Sequence, residues 1–316
     1  MKRSITTIAL LAIAAWLGVV EAYAADTLKL AIGQRGKWDG AVPDLGSRAG
    51  IFKKHGLELE MLYTSGGGET MQAVISGSVD IGLNAGTLGV LGAFAKGAPI
   101  RIISAQATGD DAYWYVRADS PIKSMADMKG RTMAYSTTGS STNSNVLALI
   151  DHFKVEAKPV ATGGPAPTFT QVMSGQIDVG WSAPPFGIEA LRKGEIRVIV
   201  RATDLPAVKG HTVRVNVANA QSLERKREVF VRYMKAHRET IEWMYASEDA
   251  LKIYAEYAGV SIDVARQIRT EFDPKEMVQP DRVMGLGDLV AEAVKFKYVT
   301  QPLTETQLTE LVQIPQ

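Results

Sequence analysis

Short apolar runs alternate with stretches of helical periodicity along most of this chain. Residues 28–32 read as a strand that ends at the loop Gly33-Gln-Arg-Gly-Lys-Trp38, and a helix is predicted from about Pro43 to Lys54. Residues 57–63 open with period-two alternation, the mark of a strand with one wetter face, and Ser65-Gly-Gly-Gly68 turns the chain into a helix leading to Ser76. Strand, helix, strand, helix, strand is the order that builds a mainly parallel sheet flanked by helices.

The pattern then repeats. Val74-Ile-Ser-Gly-Ser-Val-Asp80-Ile-Gly82 is answered by Val172-Met-Ser-Gly-Gln-Ile-Asp178-Val-Gly180, each a helix end, a glycine turn, an aspartate and a short apolar strand. Gly77 and Gly175 suit a helix C-terminus, where glycine adopts the left-handed conformation without a Cβ clash. Asp80 and Asp178 are expected to hydrogen-bond backbone within their own turns. Two matching α/β units imply two lobes. Their strands run into the loops Asn84-Ala-Gly-Thr87 and Ser182-Ala-Pro-Pro185, and ligands of open α/β sheets bind beyond such strand ends, so facing loops would form a cleft.

After a strand at residues 100–105, the polar Thr108-Gly-Asp-Asp111 interrupts the pattern and Tyr113-Trp-Tyr-Val116 resumes it, which marks a first crossing between lobes near residues 109–113. The second lobe is expected to hold a turn at 124–130, strands at 131–135 and 198–201, and helices at 143–153 and 167–174. The chain returns near residues 203–210. From Ser222 onward it reads as helical scaffold, with Ser247 and Ser261 as N-caps. The division is then 1–24 as a leader, 25–110 as one lobe, 111–208 as the second, and 209–316 as the return to the first lobe with C-terminal helices.

Composition narrows the function classes. Lys2-Arg3, an apolar run at 8–20 and Ala22-Tyr23-Ala24 form a secretory leader with a cleavage site after Ala24. The chain has no cysteine, which excludes disulfides, thiolate metal sites and a cysteine nucleophile. Its formal net charge of +1 falls to zero once Lys2, Arg3 and Glu21 leave with the leader, and no basic block points to nucleic acid. The four histidines show no metal-ligand spacing, and neither a nucleophile elbow nor a phosphate-binding loop occurs. No cofactor and no metal are therefore expected.

The strongest local chemistry is Thr137-Thr-Gly-Ser-Ser-Thr-Asn-Ser144, a hydroxyl-rich turn before a helix. Free N–H groups, the positive end of the helix dipole and hydroxyl donors make an anion seat there, with Ser140 and Ser141 the preferred contacts. Arg35, Lys37 and Trp38 follow the first strand, where a cation or ring could touch solute or serve loop and core instead. Trp114, Trp181 and Phe186 are read either as cleft walls or as lobe core. The acids Asp80, Asp110, Asp111 and Asp178 show no acid–base pairing.

Taken in order, the leader, Gly33-Gln-Arg-Gly36, Tyr63-Thr-Ser-Gly66, Gly77-Ser-Val-Asp-Ile-Gly82, Thr138-Gly-Ser-Ser-Thr142, Gly175-Gln-Ile-Asp-Val-Gly180 and Pro185-Phe186 resemble the periplasmic binding proteins of ABC importers for nitrate, aliphatic sulfonates and taurine. Thiamine-precursor binding proteins are similar too. The resemblance implies a two-lobed, type II-like fold with two crossover strands as a hinge, and a soluble monomer that presents a small anion to an inner-membrane permease and its ATPase. Carried over by position, Gln34, Ser65, Gly66, Asn84, Ala85, Ser140, Ser141 and Pro185 become expected contacts, and Thr138 of the hydroxyl-rich turn is expected to join them. Ala183-Pro-Pro-Phe186 stands where sulfonate and taurine binders often carry Trp-Asp-Pro-Phe, so the acid that could hold a substrate ammonium is missing and an organic anion without an amine is expected, a sulfonate or carboxylate with an apolar or aromatic body that the cleft rings would cover. An enzyme on the same fold, of the kind that makes pyrimidine or menaquinone precursors, and the ligand-binding subunit of a sensor are the alternatives.

Overall fold

In the computed structural model, which describes residues 25–316, the apolar runs pair into two sheets. The expected leader and its cleavage site lie outside the described residues. The chain forms β1 (Asp26–Gly33), β2 (Leu57–Thr64), β3 (Ile81–Gly86) and β4 (Ile100–Thr108), crosses to β5 (Tyr113–Arg117), β6 (Thr132–Tyr135), β7 (Lys158–Ala161), β8 (Gly180–Ser182) and β9 (Ile196–Arg201), and returns as β10 (Thr212–Asn219).

The first sheet has the order β2-β1-β3-β10-β4. In the second, β8-β5-β9 and the parallel pair β6-β7 are joined by a parallel bridge between Met133 and Val179. Most strands of each sheet point one way. The exception is β10 in the first and β5 in the second, each antiparallel to both its neighbours. Each is the strand that has just arrived from the other lobe, so the chain enters each sheet against its grain. The two crossings run side by side: Gly109 N–H donates to His211 O (3.0 Å) and Ala202 N–H to Ala112 O (2.9 Å).

The internal repeat is structural as well as sequential. Gly77 (φ 72°) and Gly175 (φ 77°) end α3 (Gly67–Ile75) and α6 (Pro165–Met173) in the left-handed conformation. Ser78 and Val79 N–H both donate to Ala73 O, and Gln176 and Ile177 N–H both donate to Gln171 O. Ahead of the two helices, Thr64 Oγ1 lies 2.7 Å from Thr70 Oγ1 and Thr162 Oγ1 lies 2.6 Å from Thr168 Oγ1. The aspartates differ from expectation: Asp80 Oδ2 accepts from Lys29 N–H and Asp178 Oδ2 from Thr132 N–H, both at 2.9 Å. They bond backbone of the adjacent central strand rather than of their own turns, because the strand that follows each glycine enters the sheet beside β1 or β6.

Two further expectations are corrected. The helix foreseen at 43–54 is split into α1 (Val42–Arg48) and α2 (Ile51–Lys54), since Gly50 takes φ 74° and no helix continues through that geometry. Residues 84–86, read as loop, extend β3 and pair with β10 across a register shift, and Thr87 starts α4 (Thr87–Ala95). The helix Arg227–Ala246 buries Phe230, Tyr233 and Met234 against Phe52 and Leu57 of the first lobe. Ser247 and Ser261 cap the next two helices, accepting from Asp249 and Val264 N–H. The helix Leu286–Lys295 packs on the first lobe, while Lys295 Nζ reaches Asp151 (2.6 Å) and Tyr298 hydroxyl donates to Asn143 Oδ1 (2.9 Å) of the second. Among the described residues no helix is long and apolar enough to cross a membrane.

Candidate functional site

The ends of β1 and β3, the start of α3, the first crossing, Arg214 of β10 and the turn before α5 (Ser141–Phe153) converge on one cavity between the lobes. It measures about 30 Å³, room for about two waters. From the first lobe come Gln34, Gly66 and Asn84; from the second come Ser136, Ser141 and Trp181.

The turn in the second lobe is preorganised by its own hydroxyls. Ser140 caps α5, its Oγ accepting from Asn143 N–H (3.2 Å) and lying 3.0 Å from Thr142 Oγ1, which itself accepts from Ser136 N–H (2.9 Å). Ser140 is therefore spent on the helix start. Ser141, the first helical residue, is buried and its hydroxyl has no protein partner among the described residues, so it is the better donor to a solute. Facing it, Asn84 takes a left-handed conformation (φ 63°), which asparagine tolerates better than most residues. Its N–H donates to Gln106 Oε1 (2.6 Å), but its side-chain amide is 5% exposed and neither Nδ2 nor Oδ1 has a partner. A buried amide with both ends unmet is expensive unless something else satisfies it.

Under the cavity lies a buried ion cluster. Arg214 of β10 donates from Nε to Asp39 (2.9 Å) and from Nη1 to Asp110 (2.8 Å), and its Nη2 lies 3.5 Å from Asp111. Lys37 Nζ bonds Asp111 Oδ1 at 2.5 Å, and Asn145 of α5 donates to Asp110 Oδ2 at 2.8 Å. The cluster thus ties the loop after β1, the first crossing, β10 and the second lobe together. Burial opposes every charge in it, yet Arg214 and Lys37 hold the Asp110 carboxyl down to about 2. Against the same burial, Asp110, Asp39 and Asp111 keep the Arg214 guanidinium well above its usual range. Asp111 and the nearby Asp273 are pushed up instead, first by burial and then, with Lys37 and Arg214 pulling the other way, by the neighbouring carboxylates.

The expected contacts divide into three groups. Gln34, Gly66, Asn84, Ser140 and Ser141 line the cavity, and Trp181, left open between core and cleft, lines it too while its Nε1 donates to Gly163 O (3.2 Å). Pro185 and Phe186 are half-buried beside it, following a cis peptide bond between Pro184 and Pro185, with Phe186 against Gly36 of the other lobe. Ser65 and Thr138 are exposed outside it. The rest are elsewhere. Arg35 lies at the surface over the rings of Tyr63 and Tyr257 (5.6 and 5.2 Å). Ala85 is core, and Trp38 packs edge-on against Tyr254 and Tyr245, because Lys37 beside it takes the direction of the cleft. Trp114 is core as well, its Nε1 bonded to Ala134 O (2.8 Å), since alternation along β5 turns it under β6. The cluster residues Asp39, Asp110, Asp111, Asn145 and Arg214 were not among the expected contacts. One signal was available: Arg214 is a lone cation inside Thr212-Val-Arg-Val-Asn-Val-Ala-Asn219, a strand too apolar to leave a charge unpaired.

The lobes meet along glycines. Gly68 N–H donates to Thr137 Oγ1 (3.0 Å), and a Cβ at Gly89 of α4 would stand 2.1 Å from Gly139 O.

The sequence model of the family described as NMT1/THI5 like matches residues 45–250. The chain is 21% identical over 251 residues to the 4-amino-5-hydroxymethyl-2-methylpyrimidine phosphate synthase THI5 of Saccharomyces cerevisiae, covering 73% of this chain and 69% of that protein. Among solved structures it is similar to the alkanesulfonate-binding protein SsuA from Xanthomonas axonopodis pv. citri bound to MOPS (TM-score 0.74, 15% identity, 91% and 98% of the two chains). It is also similar to the periplasmic nitrate-binding protein NrtA from Synechocystis PCC 6803 (TM-score 0.70, 14% identity, 91% and 86%). These neighbours share the two-lobed binding-protein fold.

Proposed function

The chain belongs to the NMT1/THI5 like family, and on that premise we propose that it captures a small organic anion, a sulfonate or carboxylate, between its lobes and delivers it to an ABC permease in the inner membrane. Export to the periplasm, with the leader removed after Ala24, is part of this reading. So is a hinge formed by the crossings at residues 109–112 and 202–211.

One observation carries it: Ser141, with its free hydroxyl at the start of α5, and Asn84, with its unpartnered amide, line the same cavity from opposite lobes. A helix N-terminus favours an anion, and a solute bonded to both lobes favours their closure. Trp38 and Trp114 lie in the core, while Trp181 lines the cavity and Phe186 is half-buried beside it, so an anion with an apolar or aromatic body stays within the proposal. Synthase chemistry, as named for the yeast relative, is the second reading. No histidine lines the cavity, and the carboxylate that does, Asp110, is held ionised by Arg214, which favours binding without chemistry.

Calorimetric titration with inorganic anions, alkyl sulfonates and small carboxylates tests the proposal. Ser141→Ala should weaken the best ligand by roughly ten- to a hundredfold, the worth of a hydrogen bond to a charged group. Unchanged affinity in that variant, or turnover of a pyrimidine precursor by the wild type, would overturn it.

A further inference from the structure

A second and larger cavity lies between the lobes at the second crossing. It measures about 170 Å³ and is walled by Leu88 and Leu289 of the first lobe, Ala148 of α5, and Leu205 and Val208 of the crossing. None of the contacts expected from sequence lines it. One residue joins it to the ion cluster: Asn145, whose amide donates to Asp110, forms part of its wall. Its volume suits a single ring, since an apolar cavity of about 150 Å³ takes up benzene.

The charges lining this cavity do not balance. Lys295 Nζ is bound to Asp151 (2.6 Å), which also takes Lys154 (3.1 Å). Glu292 is left over. Its side chain is 30% exposed, and no protein group among the described residues donates to it. The nearest nitrogen, His211 Nδ1, is 3.7 Å away, while Nε2 of the same ring lies 3.4 Å from the exposed Asp288. That ring is seated against Gly285, where a Cβ would stand 2.3 Å from its Cδ2. Burial pushes the Glu292 carboxyl up against the pull of His211 and Lys295. A half-buried carboxylate without a donor loses hydration that an incoming N–H group restores. We propose that this cavity is a second ligand site, distinct from the anion cavity, which takes a small organic cation: a single apolar ring among the leucines, carrying an ammonium that bonds Glu292.

Benzylammonium is the probe and benzyl alcohol its uncharged counterpart of like size, each titrated calorimetrically into the exported protein. Benzylammonium should bind one to one and at least about tenfold tighter than the alcohol. Of the four histidines, His152 and His211 line the cavity. Their ring signals in NMR should therefore shift on titration, while those of His55 and His237 stay in place. Glu292→Gln should bring benzylammonium down to the level of the alcohol. Ala148→Trp, checked for folding by circular dichroism, should abolish binding of both by filling the space. The inference is overturned if benzylammonium does not bind, if it binds no tighter than the alcohol, if either folded variant keeps wild-type affinity for it, or if the His211 signals do not move. Anion capture is decided separately, by the titrations with anions.

Discussion

Replacing Gly89 by alanine should separate closure of the lobes from stability of the fold. The added Cβ would stand 2.1 Å from Gly139 O and 2.8 Å from its carbonyl carbon, and both partners are backbone. A carbon sits about 3.3 Å or more from a carbonyl oxygen, so the seam must open by about 1 Å. Gly139 cannot give way cheaply: it holds φ 83° immediately before Ser140, the cap of α5. An opening of that size takes Ser141 and Asn84 out of simultaneous reach of one solute, and losing one charged hydrogen bond weakens binding roughly ten- to a hundredfold. The unliganded protein gains instead, since alanine is better than glycine inside a helix by about 1 kcal/mol. Calorimetry should therefore show a melting temperature equal to or above wild type together with the loss of affinity, and small-angle scattering should show less contraction at saturation. Gly287→Ala, at a helical glycine with open space around it, is the control. Wild-type affinity in Gly89→Ala would refute the reasoning, and so would a lowered melting temperature, which would mean that the clash lies in the folded lobe itself.

Other outcomes follow from the same structure. Arg214→Ala leaves Asp39 and Asp110 buried without their cation and should destabilise the protein by about 3–5 kcal/mol in urea denaturation; a loss under 1 kcal/mol would mean that the cluster is wetter than it looks. Asp110 has an ordinary carboxylate pKa of 3.8 when unfolded and about 2 when folded, so its contribution is present above pH 3.8 and is lost as pH falls towards 2. The stability gap between wild type and Asp110→Asn should close over that window, and a gap independent of pH counts against the assignment. Sequencing of the exported protein should find Ala25 at its N-terminus; an intact Met1 would sink the periplasmic reading.

Much of this architecture is written in local pattern. The repeated Gly-x-x-Asp units, the period-two edge strand β2 and the caps at Ser140, Ser247 and Ser261 depend on residues within a few positions of one another, where glycine conformation, alternation and hydroxyl capping act directly. The breaks at 109–113 and 203–210 were legible because polar and glycine residues interrupt otherwise apolar runs. Side-chain direction was not. Whether Trp38, Lys37 or Trp114 faces a cleft depends on which neighbour occupies the other side, and only the packing of Tyr245, Tyr254 and Ala134 settles that. The ion cluster was further out of reach, since Lys37, Asp39, Asp110, Asp111 and Arg214 come from three distant segments that meet only where the crossings pair. A charge in a sequence is a polar residue; it becomes a buried one, in need of a partner, only when the fold removes its water.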